Sequence, residues 1–157
     1  LREAVLLQMT WNGAPTVYYG DEAGVTGWTD PDNRRTYPWG REDMELIAFH
    51  KAAISLRKEY PVLRHGSLKQ LYGAYGVLAY GRFDEKEKIL VALNNTEEIR
   101  TVSIPVWQIG VQAEGTLQNC LMTNRDGFTV FGFSYPVRNG NVLLSLPPKS
   151  AMAVREI

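Results

Sequence analysis

Apolar and polar positions follow two different periods along this chain, and the change falls near residue 65. Before it the spacing is helical. Residues 1–10 read as the end of an amphipathic helix, and Leu46, Phe49, Ala53 and Leu56 share one face of a second helix, with Ile47 and Ile54 beside them. Glu42 or Asp43 opens that helix and Pro61 ends it. Between the two helices, Asn12-Gly13-Ala14-Pro15 breaks the chain. The apolar run Thr16-Val17-Tyr18-Tyr19 then predicts a buried strand that runs into a loop at Gly20-Asp21-Glu22. From Ala23 to Arg41 no period is visible. Loops of that length in a compact domain are usually functional or disordered, and Trp28, Tyr37 and Trp39 favour function. A lone strand of this kind needs neighbouring strands to be stable.

From Ser67 onward the period alternates. About eight strands are expected, near 67–72, 77–83, 88–94, 99–104, 116–123, 128–135, 141–146 and 150–156. Turn chemistry separates them at Asp84–Lys88, Asp126-Gly127 and Asn139-Gly140, the last a strong type I′ hairpin signal. Short, evenly spaced strands with such turns indicate an antiparallel β-sandwich. The chain is therefore mainly β, with an α/β part over residues 1–65 and a sandwich over residues 66–157.

Charge and composition narrow the partners. Seventeen basic and seventeen acidic residues cancel, which argues against nucleic acid and against an anionic membrane surface. No apolar run reaches the roughly 20 residues that cross a bilayer. The 45% of hydrophobic residues suffices for a core. The single cysteine, Cys120, forms no internal disulfide, so nothing favours an oxidising compartment and the expectation is cytoplasmic. The opening Leu1-Arg2-Glu3-Ala4-Val5-Leu6 has the pattern of a helix interior without a cap. It reads as a chain cut from a longer one, which leaves a signal peptide on that parent open.

The stretch Gly13-Ala14-Pro15-Thr16-Val17-Tyr18-Tyr19-Gly20-Asp21-Glu22, followed by Gly27, Asp30-Pro31-Asp32-Asn33-Arg34-Arg35 and Pro38-Trp39, resembles the α-amylase family, glycoside hydrolase family 13. Within it the branch of neopullulanases, cyclomaltodextrinases and maltogenic amylases is the nearest in pattern. The resemblance implies that residues 1–65 are the C-terminal end of a catalytic (β/α)8 barrel, carrying its last strand, an active-site loop and its last helix. It implies that residues 66–157 are the β-sandwich called domain C. It also implies a parent hydrolase acting on α-glucosidic bonds by the retaining route, with no cofactor.

Retaining glycosidases need two carboxyl groups about 5–5.5 Å apart. In the family these come from earlier barrel strands, so no catalytic residue is assigned in this chain and it is expected to be inactive alone. Its partners would be an α-glucan oligosaccharide and the remaining barrel. Residues 1–60 are expected to be poorly ordered, swapped between copies or covered by a partner chain, because they expose apolar faces.

The resemblance assigns sugar contacts to Asp30 and Arg34, on the non-reducing side of the cleaved bond. The plainer reading is a mutual ion pair that orders the loop, and the two are compatible. Trp28 and Trp39 divide between stacking on sugar and anchoring the loop. Gly20, Asp21 and Glu22 mark the strand end, and adjacent carboxylates there point apart, which suits a structural role such as pairing with an arginine. Tyr18 and Tyr19 read as core residues on alternate faces. His50 and His65 have no third ligand near them in the pattern, so no metal site is expected. Cys120 reads as a small core residue, and Asn94 and Asn95 as a turn. Thr36 stands where many relatives carry proline. Two other classes compete: a carbohydrate-binding module, and a non-catalytic interaction protein of the amino-acid transporter heavy-chain type. For the module, Tyr72, Tyr75, Tyr80, Phe128, Phe131, Phe133 and Tyr135 are spaced mostly as core or edge residues.

Overall fold

The computed structural model describes residues 1–157. Three helices precede nine strands: α1 Arg2–Thr10, α2 Met44–Glu59, α3 Val62–His65, then β1 Ser67–Ala74, β2 Val77–Phe83, β3 Lys88–Asn94, β4 Arg100–Ile104, β5 Gly115–Asn124, β6 Gly127–Thr129, β7 Ser134–Arg138, β8 Asn141–Leu146 and β9 Ser150–Glu156. The change of period therefore coincides with the end of α3 and the start of β1. Asp43 is the residue that opens α2, its Oδ1 accepting the Leu46 N–H at 2.9 Å.

All strand pairs are antiparallel, and the hydrogen-bonded order is β1-β2-β3-β9-β5-β7-β8-β4, with β6 on β5. The path folds back on itself, so β2, β3 and β9 face β4 and β8 across a shared interior. There Ala79, Leu90, Ala92, Met152 and Val154 pack against Val102, Ile104, Val142, Leu144 and Leu146. In β8 only the even positions are buried, which is the alternation of a strand with one wet face.

The opposite face of β2, β3, β5 and β9 is also covered. Tyr80, Ile89, Val91, Leu93, Leu121, Ala151 and Ala153 pack against Val5, Leu6 and Met9 of α1, Phe49, Ala53 and Leu56 of α2, and Val62 and Leu63 of α3. This explains the unbroken Ile89-Leu90-Val91-Ala92-Leu93 run, since both of its faces are dry. In β5 a bulge between Asn119 and Leu121 reverses the alternation, so Leu117 faces the sandwich interior and Leu121 the helices. Each large side chain buried in these layers contributes about 1.5–3 kcal/mol.

Two buried guanidinium groups join the layers. Arg82 of β2 is 1% exposed. Its Nη1 donates to the carbonyls of Thr10 at 2.6 Å and Leu63 at 2.9 Å, and its Nη2 to Gly66 at 2.9 Å. Arg57 of α2 donates from Nη1 to Met9 and Leu63, both at 2.8 Å, and from Nη2 to Gly13 at 2.6 Å. No carboxylate takes part in either set. The carbonyls belong to the C-terminal ends of α1 and α3 and the residues just beyond, where unpaired acceptors and the negative end of the helix dipole both favour a cation. Beside them the Tyr80 hydroxyl meets Thr10 Oγ1 at 2.5 Å, and Thr10 Oγ1 donates to Leu6 O at 2.6 Å.

Three expectations are corrected. The Thr16–Tyr19 run is not a buried strand: it pairs with no strand, and Val17, Tyr18 and Tyr19 are exposed. Its backbone and side chains have no neighbouring strands within these residues to pair with, which is what a lone strand lacks. Tyr18 and Tyr19 are accordingly not core residues; their rings lie against each other at 4.8 Å. The single strand expected over 128–135 is two, β6 and β7, separated by a loop at 130–133. The Asn139-Gly140 turn is as predicted, with positive φ at both residues joining β7 to β8.

Replacing Arg82 with Met should cost about 2 kcal/mol or more in urea unfolding, because the carbonyls of Thr10 and Gly66 lose this donor inside the fold, while Leu63 O keeps Arg57, and each buried unpaired group costs about 1–3 kcal/mol. A loss below about 1 kcal/mol would show that those carbonyls find other partners.

Candidate functional site

The loop from Gly20 to Arg41 rises from the junction of α1 and α2. Its stems are held by Arg57 on Gly13 O, by Gln8 Nε2 donating to Thr16 O at 2.5 Å, and by the Asp43 N–H donating to Ala23 O at 3.1 Å. Gly20 has φ of 89° and opens a 3-10 turn over Asp21–Ala23. A side chain at Gly20 would meet Val25 Cγ2 at 2.8 Å, so both its conformation and its packing favour glycine. Glu22 Oε2 accepts the Gly20 N–H at 3.0 Å. Within this chain Glu22 therefore holds the backbone amide at the start of that turn.

Two arginine–carboxylate pairs shape the tip. Arg34 grips Asp30 with both prongs, Nε to Oδ1 at 3.0 Å and Nη2 to Oδ2 at 2.7 Å. Arg35 reaches Asp32 Oδ1 from Nε at 3.0 Å and from Nη2 at 2.6 Å, while Asp32 Oδ2 accepts the Trp28 N–H at 2.9 Å. The Tyr19 hydroxyl donates to Arg35 O at 2.8 Å. At Gly27 an added Cβ would lie 2.6 Å from Asn33 Cα, so the two limbs of the loop touch only because that residue is glycine. The loop is therefore a folded object without regular secondary structure.

Exposed ion pairs of this kind contribute little to stability. Their value is in placement. Asp30 occupies two of the five N–H donors of Arg34 and leaves the others for a ligand hydroxyl. Trp28 is 83% exposed and Trp39 81%, and Trp39 leans on Tyr37 with ring centroids 4.5 Å apart. Flat apolar faces beside fixed guanidinium and carboxylate groups suit a sugar, whose C–H faces stack while its hydroxyls hydrogen-bond. The structure thus brings Trp28, Asp30, Asp32, Arg34, Arg35 and Trp39 into one loop.

A surface cleft of about 850 Å³ lies elsewhere, between the start of α1 and the sheet end near Gly76, Asn95 and Lys149, and takes no lining residue from the 20–41 loop. His50 is buried, with Nδ1 against Leu46 O at 2.9 Å. No group of three or more His, Cys, Asp or Glu side chains converges to hold a metal ion. Residues that carry weight and were not singled out by pattern are Arg57, Arg82 and Asn119. Asn94, read only as a turn, is a buried hub: its Nδ2 donates to Glu98 O, Leu146 O and Pro147 O, and its Oδ1 accepts from the Thr96 amide and hydroxyl.

Comparison with known proteins points one way. The family described as the α-amylase C-terminal domain matches residues 66–143. An amylopullulanase from Thermoanaerobacter thermohydrosulfuricus is 52% identical over 82 residues, 52% of this chain and 6% of that protein. Neopullulanase 2 from Thermoactinomyces vulgaris is 34% identical over 155 residues, 96% of this chain and 24% of that protein. Among solved structures, the α-amylase of Geobacillus thermoleovorans in complex with acarbose superposes with a TM-score of 0.80 at 27% identity, over 99% of this chain and 32% of that one. The chain thus spans between 6% and 24% of the length of these curated relatives.

The Arg35 hydrogen bonds, and then the Trp28 amide, hold the Asp32 carboxyl below its ordinary pKa. Its folded-state value is depressed, so the order it lends the loop is present above the ordinary carboxylate range and is lost as pH falls through the lowered value. An NMR titration should find Asp32 below the usual aspartate range, and R35Q should bring it back up. An unshifted Asp32 in the unsubstituted chain would contradict the pairing.

Proposed function

The chain belongs to the α-amylase family, and we propose that it forms the C-terminal part of a glycoside hydrolase that cleaves α-glucosidic bonds in maltodextrin-, cyclodextrin- or pullulan-type glucans. In this reading residues 1–65 close a (β/α)8 barrel and residues 66–157 are its domain C. The match of the family to residues 66–143 and the change of period at residue 65 both support that division. Barrel active sites are built from loops at the C-terminal ends of strands, and the 20–41 loop follows directly on the segment read as the last strand.

The observation that carries the reading is the exposed Thr16–Tyr19 segment, paired with no strand, leading into a loop tied by the Asp30–Arg34 pair that presents Trp28 and Trp39. An extended run of this composition with free backbone groups and exposed rings is built to be covered. The remaining barrel strands are the proposed cover. The nucleophile and the acid/base carboxyl come from those strands, and the retaining double displacement proceeds on them. This chain contributes a wall that stacks on the sugar and orients its hydroxyls. By itself it splits no glucan, and its uncovered segment favours packing or swapping between copies. A cytoplasmic location, supported only by the lone Cys120 and by the branch of relatives, belongs to the same proposal.

The test uses the 157-residue chain and the longer protein side by side on maltoheptaose and on a cyclodextrin. The longer protein should release reducing sugar and the chain should release none. In the longer protein R34A should lower kcat/KM roughly 10- to 100-fold, mostly through KM, as expected when a charged hydrogen-bond donor is lost. Turnover by the chain alone, or a longer protein indifferent to R34A and D30A, would sink the reading.

A further inference from the structure

We propose that Asn12-Gly13, at the joint between α1 and the Thr16–Tyr19 segment, is a site of spontaneous deamidation that turns Asn12 into isoaspartate and loosens the hold of Arg57 on the stem of the 20–41 loop. The chain carries two Asn-Gly steps, at 12–13 and at 139–140, and the fold treats them in opposite ways. Neither step depends on what the protein acts on.

The chemistry needs a free main-chain nitrogen beside a free side-chain amide. The Gly13 nitrogen gives up its proton and attacks Asn12 Cγ. The new N–Cγ bond closes a succinimide ring, and the side-chain nitrogen takes up a proton and leaves as ammonia. Water then opens the ring. Attack of water at Cγ leaves aspartate, and attack at the main-chain carbonyl carbon leaves isoaspartate, whose backbone runs through Cβ. Glycine after the asparagine favours closure, because no side chain blocks the nitrogen and the backbone turns freely.

At 12–13 nothing opposes that closure. Both residues are exposed and lie in a bend outside any helix or strand. Neither the Asn12 side chain nor the Gly13 N–H has a hydrogen-bond partner, and a Cβ added at Gly13 would meet nothing within 4 Å. At 139–140 the same dipeptide is held on every side. The Gly140 N–H, which would have to attack, donates to Ala113 O at 2.9 Å, and Gly140 O accepts the Trp107 N–H at 3.0 Å. The Asn139 N–H donates to Glu114 Oε1 at 3.0 Å, and Asn139 O accepts from Asn141 Nδ2 at 2.9 Å. A Cβ at Gly140 would lie 2.8 Å from Trp107 Cβ, so the tryptophan leaves that peptide little room to turn.

The exposed step also sits where a change of backbone length is felt. Arg57 donates from Nη1 to Trp11 O at 3.4 Å and from Nη2 to Gly13 O at 2.6 Å. These two carbonyls flank Asn12. Isoaspartate inserts an extra main-chain carbon between them, so one guanidinium no longer spans both at these distances, and the stem beyond Gly13 is released.

The test ages the 157-residue chain in mildly alkaline buffer, folded and in urea, and places each deamidated residue by fragment-ion mass spectrometry. In the folded chain Asn12 should convert first and Asn139 roughly tenfold more slowly, since a hydrogen bond must break before the Gly140 nitrogen is free. In urea the two rates should converge. The aged chain should unfold at a lower urea concentration than the fresh one. Aged N12Q, whose longer side chain closes its ring far more slowly, should keep the original midpoint, and so should fresh N12D, which has the charge without the extra carbon. Equal rates at Asn12 and Asn139 in the folded chain, or conversion of Asn12 in urea alone, would overturn the site. An isoaspartate-rich chain with an unchanged midpoint, or fresh N12D as unstable as the aged chain, would overturn the link to Arg57.

Discussion

The arrangement depends on how two buried arginines are neutralised. Arg57 and Arg82 share an acceptor: both donate to Leu63 O, and around it each collects a carbonyl from the end of α1. A buried cation normally requires an anion, since desolvation is so costly. Here helix termini serve instead. Their carbonyls would otherwise be unpaired, so each arginine resolves its own burial and that of several backbone groups together. Burial, with a neighbouring arginine next in each case, presses both guanidinium pKa values down, and the carbonyls are what offset it. Arg57 ties α2 to α1 and α3, and Arg82 ties β2 to the same two helices, so all four elements must be in place for both sets to close.

That lock gives the sheet its second face. A β-sandwich needs only one interior, yet β3 and β9 are dry on both sides because the helices are held against them. The bulge in β5 adapts to the same demand, turning Leu121 towards the helices after Leu117 has pointed inward. The sandwich is thus more than a stabilising appendage to the helices, since Tyr80 and Arg82 reach out of the sheet to hold the C-terminal turn of α1. The residues immediately after that turn lead to the aromatic loop.

Much of this was legible in the pattern, and the failures have physical causes. Period changes located the end of the helices, and Asn139-Gly140 declared its hairpin, because local backbone chemistry alone decides those features. The Asp30–Arg34 pair was visible as an i,i+4 match of charge, and it forms. Thr16–Tyr19 was misread as buried because composition reports what a segment is suited to and not which neighbours it has. The split of β6 from β7 was missed because Val130, Phe131 and Phe133 look like strand residues; only Asn119, twelve positions from Phe131 and in another strand, draws them into a loop. Arg82 was equally opaque. An arginine in an apolar strand reads as a wet position, and nothing local says that helix carbonyls will meet it.

A loop of twenty-odd residues with only two short 3-10 turns of its own needs other restraints to keep its shape. Its tip is closed by two arginine forks, worth little each in water, and such forks fix a geometry only if the stems already limit where they can meet. The stems are limited from below, by Arg57 donating to Gly13 O and by the amide of Asp43, the residue that caps α2, donating to Ala23 O. Stem control and tip control are therefore in series. Weakening the arginine lock beneath would let the stems diverge and the forks part, and Trp28 and Trp39 would lose their fixed placement while every residue of the loop remained intact. On this argument the placement of the aromatic wall is a property of the helix–sandwich junction as much as of the loop that carries it.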